Sequence, residues 1–184
     1  MSTTRAPRLT AALAATALAL PLIGIASAPA QAVSLPSGTA TMLQYMVAEE
    51  KLANDVYTTL GAAYDLPIFD NIATSETRHE STVAFLLNRY GITDPTVGDA
   101  VGVFDDPQLQ ALYTQLVATG TRSLVDAAQA GITIEKRDIA DLTDALAQPL
   151  PADVSRILSN LRRASAHHLA AFEQLEDSLH ATGS

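Results

Sequence analysis

Glu76 and His79 stand three residues apart in the stretch "NIATSETRHEST", residues 71–82. A carboxylate and an imidazole at that spacing project from one face of a helix toward the same region, where they can serve one metal ion. On a helical wheel with Glu76 at zero, Phe69, Ile72, Val83, Leu87 and Tyr90 fall within about 40° of it. His79 falls about 60° to one side. The pair therefore faces the side that must build a core, where ionisable groups are expensive unless paired or coordinated.

Three other segments repeat the pattern. Leu124, Ala128, Ile139, Leu142 and Leu146 lie within about 40° of Glu135, with Asp138 one turn on. Val154, Ile157, Leu161, Phe172, Leu175 and Leu179 cluster around His168, while His167 is about 100° away. Leu43, Met46, Ala53 and Tyr57 surround Glu50, and Glu49, slightly further off the stripe, is its rival. Four carboxylates (Glu50, Glu76, Glu135 and Asp138) converging in a low-dielectric core would repel one another unless cations neutralised them. Two divalent metals balance four carboxylates, and His79 and His168 then serve as neutral ligands. The competing reading is a buried hydrogen-bond network in which Arg78, Arg162 or Arg163 neutralises some acids. All three lie well off the apolar stripes.

The elements that must position these groups are helices. Apolar periodicity with turn and cap signals predicts long helices over 41–60, 67–90, 123–147 and 153–180, and a short one over 107–118. Gly61 is expected to stop the first helix, Asp65 to cap the second, and Gly131 to weaken the first half of the third long helix. Connections of about six and five residues make antiparallel hairpins of the first and last long pairs. About thirty residues, including the short helix, separate the second long helix from the third. The expectation is an all-α protein, an antiparallel four-helix bundle with one long crossover, the ferritin-like arrangement.

Ahead of these helices, "MSTTRAPRLT" carries Arg5 and Arg8 and no acid, then runs into an apolar stretch and Ala30-Gln31-Ala32. This predicts a secretory signal peptide over 1–32, a linker over 33–40 and one bundle domain over 41–180. The chain is then expected outside the cytoplasm, a retained membrane anchor being the alternative. All 20 acids and nine of the 11 Lys and Arg lie beyond residue 32, a net charge there of about −11 with neutral histidines. That argues against nucleic acid or an anionic membrane as partner. With no cysteine in the chain, thiol chemistry, iron–sulfur clusters and Cys-based zinc sites are excluded.

The segments "EEKLANDVY", "IFDNIATSETRHE", "GVFDDPQLQALYTQLVATGTRSLVDA", "IEKRDIADL" and "HHLAAF" together look like a prokaryotic ferritin-like family, known as domain of unknown function 2202. The resemblance covers about residues 41–177 and implies a ferritin-like bundle with a di-metal centre. The wider ferritin-like class places one Glu on each of two helices and Glu-x-x-His on the other two. Carried over, Glu50 resembles the first lone Glu, and its spacing to Tyr57 is similar to that in rubrerythrin-like first helices, where a tyrosine lies near the metals. Glu76 and His79 match the first Glu-x-x-His, Glu135 the second lone Glu, and His168 the last histidine. The chain departs from the pattern at Ser165, which stands where a fourth-helix carboxylate is expected; Asp138 could restore the count.

The expected ligands are thus Glu50, Glu76, His79, Glu135, Asp138 and His168, with Tyr57, Glu49 and Ser165 as neighbours able to hydrogen-bond to them. Such a donor set suits two divalent ions, iron by resemblance, with manganese or zinc as alternatives. The function expected is redox chemistry on ferrous iron, dioxygen or peroxide, an oxidoreductase of ferroxidase or peroxidase type. Without cysteines the chain carries no rubredoxin-like module, so an external electron donor would be needed. A homodimer is among the arrangements allowed. The alternatives are a metal-binding or buffering bundle without turnover, and a purely structural centre.

Overall fold

The computed structural model describes residues 35–182, and the expected signal peptide, with the start of the linker, lies outside them. Five helices and no strand are present among the described residues: α1 Thr39–Tyr64, α2 Pro67–Arg89, α3 Pro107–Gly120, α4 Leu124–Leu146 and α5 Ala152–Thr182. The long helices α1, α2, α4 and α5 pack as a ring, α1 on α2 and α4, α5 on α4 and α2, with α3 laid against α1 and α4. Only residues 65–66 separate α1 from α2 and only 147–151 separate α4 from α5, so each pair is an antiparallel hairpin.

Helix starts follow local chemistry. Asp106 caps α3 by accepting from the backbone N–H of Gln108 and Leu109, and Ser123 caps α4 by accepting from Asp126 N–H. Pro67 opens α2, where its missing N–H costs nothing. Two expectations are corrected here. Asp65 does not cap α2; it ends α1 in the left-handed region at φ 50°, its N–H bonded to the Gly61 carbonyl. Gly61 does not stop α1, because the hydrogen-bonded turn continues through it to Tyr64. Its lack of a side chain serves packing instead: a Cβ there would stand 2.9 Å from Asp70 Oδ1 and 3.3 Å from Phe69 Cβ. Helix α4 likewise runs unbroken through Gly131, where a Cβ would meet the Phe172 ring at 2.6 Å.

The long crossover is pinned to α1 by a buried pair. Lys51 Nζ lies 2.6 Å from Asp55 Oδ2 and donates to the carbonyls of Ala100 and Val103. Gly102 N–H donates to the same Asp55 oxygen at 2.9 Å. With both charges paired and every donor directed, the pair is tolerated inside.

The apolar core is in two parts. One gathers Val56, Leu60, Phe69, Leu109, Leu116 and Phe172 with their neighbours, and the other Leu43, Val47, Leu86, Leu142, Leu158 and their neighbours. In register along the helices, Glu50, Glu76, Glu135 and His168 fall between the two parts. The bundle holds a polar layer between two greasy halves, and the halves fix where that layer sits.

Candidate metal centre

Each long helix delivers to this layer what its apolar stripe carries. Glu50, Glu76 and Glu135 are buried at 3 %, 2 % and 2 % exposure. Oxygen and nitrogen atoms of Glu50, Glu76 and His79 lie within 4.8 Å of one another, and so do those of Glu76, Glu135 and His168. Glu76 belongs to both triads. Its Oε2 is 2.7 Å from His79 Nδ1, and its Oε1 is 2.7 Å from His168 Nδ1. Glu50 Oε2 stands 3.4 Å from His79 Nδ1, and Glu135 Oε1 3.7 Å from His168 Nδ1. The two imidazole rings face each other with centroids 5.6 Å apart.

Hydrogen bonds account for only part of this polarity. Although Glu76 Oε1 and His168 Nδ1 are close, they are not aligned for a hydrogen bond, and both remain without a partner, as does Glu50 Oε1. Buried polar atoms are nearly always satisfied, so three unsatisfied atoms within these two triads mark a place for a further group. A cavity of about 10 Å3, room for about one small sphere, lies there among Glu50, Glu76, Glu135 and Asp138. Carboxylate oxygens and imidazole nitrogens are the donors that hard and borderline divalent cations accept. The residues fit a metal.

Protons balance the charge among the protein groups themselves. Burial pushes the Glu50 carboxyl well up, against the opposing pull of His79. Burial also drives Glu135 well up, helped by the negative charge of Glu76 and opposed by the Tyr57 hydrogen bond. Burial works the same way on Glu76, but the neighbouring His168 and His79 outweigh it and bring that carboxyl down to about 2. Burial disfavours the charged His79 ring, yet Glu50 and Glu76 hold its proton and raise it to about 10. Glu76 is the anion of the centre, and His79 carries a matching proton.

The remaining expected residues take distinct places. Tyr57, fully buried, donates its hydroxyl to Glu135 Oε1 at 2.7 Å, linking α1 to α4. Asp138 lines the cavity but stands outside both triads, with Ser165 Oγ 2.5 Å from its Oδ2. Ser165, 1 % exposed, thus holds an acid supplied by α4 at the point where α5 carries none. Between the rivals on α1, Glu50 joins a triad, whereas Glu49 pairs with Arg137, whose Nε is 3.0 Å from Glu49 Oε1. The wheels missed Arg137. Of the three arginines considered as neutralisers, none is paired with a triad carboxylate among the described ion pairs.

Comparison with known proteins places this helical plan beside others. The family model described as "Uncharacterized protein domain (DUF2202)" matches residues 39–180. The uncharacterized protein MJ0754 of Methanocaldococcus jannaschii is 44 % identical over 127 residues, 69 % of each chain. The crystal structure of hypothetical protein MJ0754 from Methanococcus jannaschii superposes with a TM-score of 0.78 at 40 % identity, covering 83 % of this chain and 86 % of that one.

Proposed function

The chain belongs to the DUF2202 family, and we propose that it is a di-metal carboxylate protein with a ferritin-like bundle, working in redox chemistry outside the cytoplasm. The observation that carries this reading is the position of Glu76, shared between two Glu/His triads in which Glu50 Oε1, Glu76 Oε1 and His168 Nδ1 complete no hydrogen bond. In this reading Glu50, Glu76 and His79 would hold one ion, and Glu76, Glu135 and His168 the other. Asp138, kept in place by Ser165, supports the pair from the side of α4.

The protein groups have defined tasks. Glu76, the carboxylate common to both triads, would be shared by the two ions. His79 gives up the proton that Glu50 and Glu76 hold on Nδ1, so uptake of a cation releases protons. Tyr57 orients Glu135 through its hydroxyl, and the stacked apolar halves keep bulk water from the layer. Bound iron, favoured, or manganese would supply one-electron oxidation and reduction toward dioxygen or peroxide. Electrons for repeated reduction come from an external donor, since the chain has no cysteine to carry a redox cluster. Export is read from the signal-like residues 1–32.

Loading the protein anaerobically with ferrous iron and then admitting dioxygen or peroxide tests the redox reading. Fast oxidation that continues over many equivalents of iron supports it. Slow oxidation that stops at the bound equivalents assigns the protein a holding role instead.

A further inference from the structure

One ion pair beside the centre is not used by the reading above. Glu49 is buried at 6 % exposure and lines the same small cavity as the triads, and its Oε2 has no hydrogen-bond partner. Its other oxygen is held by Arg137 from α4, a side chain 41 % exposed that also donates to the Tyr45 hydroxyl and approaches Asp141 Oδ2 at 3.6 Å. Among the residues lining the cavity, Arg137 alone is exposed; those around it are buried or half-buried. Tyr45 also lines a larger pocket of about 310 Å3, between α1, the crossover and α3, with Asp99, Asp105 and Asp106 on its wall. Leu109 lines both spaces.

We propose that divalent cations reach the centre between α1, α3 and α4, through a gate made of Arg137 and Glu49. This rests on the two-metal reading. Arg137 closes the way while it bridges Glu49 and Tyr45. When Arg137 lets go of Glu49 and Tyr45 and keeps Asp141, the freed Glu49 side chain gives up its proton and offers a cation its first buried oxygen, next in the chain to Glu50. The acidic outer pocket concentrates cations at the entrance. An arginine suits the closed state because its planar fork spans two acceptors at once.

Stopped-flow uptake of cobalt(II), followed by its visible absorption on entering the site, tests the gate, with final cobalt content measured separately. Arg137→Met is expected to speed uptake and release by about tenfold with unchanged final content. Arg137→Lys, which keeps the charge but loses the fork, is expected to be faster than the unaltered protein. Glu49→Gln is expected to slow uptake, again with unchanged content. Lys136→Met, which removes a neighbouring charge from the outer surface of α4, should leave the rates alone. Opposite effects from the two partners of one ion pair distinguish a gate from a brace, because loss of a brace would move both variants the same way. Unchanged rates in Arg137→Met, or slowing in both Arg137→Met and Glu49→Gln, overturn the gate and leave the two-metal reading standing. Failure of the unaltered protein to take up cobalt overturns both.

Discussion

His168 Nδ1 lies 2.7 Å from Glu76 Oε1 with no hydrogen bond aligned between them. Two complementary atoms at that distance normally complete a bond, because leaving either buried and unsatisfied costs about 1–3 kcal/mol. Here both stay short of one, at the meeting of the two triads. Helices α2 and α5 present them, and the packing of Phe172 on α5 against Tyr57 and Phe69, with ring centroids 5.0 and 5.7 Å apart, keeps the helices in register. Groups placed in this way could hold a metal ion, and the core around them keeps them there.

Replacing Tyr57 by phenylalanine removes the donor to Glu135 Oε1 and leaves that oxygen buried. The metal-free protein should lose about 1–3 kcal/mol, read from its denaturant midpoint. Affinity for metal should fall by about tenfold, because Glu135 is then free to rotate, while saturating metal still fills the centre. An unchanged midpoint and affinity would make Tyr57 a plain core aromatic.

The metal-free protein should be most stable in mild acid. Burial lifts Glu49 from 4.5 to about 8, with Asp141 adding to the effect and Arg137 opposing it. Burial also lifts Asp138 from 3.8 to about 6, against the Ser165 hydrogen bond. Carboxyls raised in this way keep protons that the unfolded chain releases, so stability falls as pH rises through 3.8–6 and 4.5–8. His79, raised from 6.5 to about 10, contributes fully below 6.5 and loses its contribution as pH climbs to 10. Glu76, depressed from 4.5 to about 2, contributes above 4.5 and is lost as pH falls toward 2. The melting temperature of the metal-free chain should therefore peak near about pH 5 and decline by about pH 8. Metal should flatten that decline, because it takes the place of the protons. A metal-free melting temperature that rises over the same interval would contradict these assignments.

Gly131→Ala tests how tightly α4 and α5 meet. The added Cβ would sit 2.6 Å from the Phe172 ring, itself wedged against Tyr57 and Phe69. Overpacking of this kind costs about 1–3 kcal/mol, more than the helix propensity that alanine returns. A stabilised variant, measured by thermal melting, would show that the ring yields freely.

The helical plan and the inward carboxylates were legible because both depend on one period. An acid such as Glu76, with Ile72, Val83 and Leu87 beside it on the wheel, has nowhere to point but inward. Arg137 was not legible for the same reason. It stands about 200° from Glu135 on α4, which marks it as an outer residue, and only the lie of α1 along that flank brings Glu49 within reach of its long side chain. The helix ends went wrong at Gly61 and Asp65 because a glycine demanded by close packing looks the same in one dimension as one that breaks a helix. The role of Ser165 also depends on tertiary placement, since only the meeting of α4 and α5 brings its hydroxyl to Asp138.

Metal content per chain, measured by elemental analysis and native mass spectrometry on the reconstituted protein and on Glu76→Ala, Glu50→Ala and Glu135→Ala, tests the centre most directly. Because Glu76 serves both triads and the others serve one each, the account predicts two ions in the unaltered chain, about one in Glu50→Ala and Glu135→Ala, and almost none in Glu76→Ala. Full metal content in Glu76→Ala, or an unaltered protein that holds no divalent ion, would contradict it.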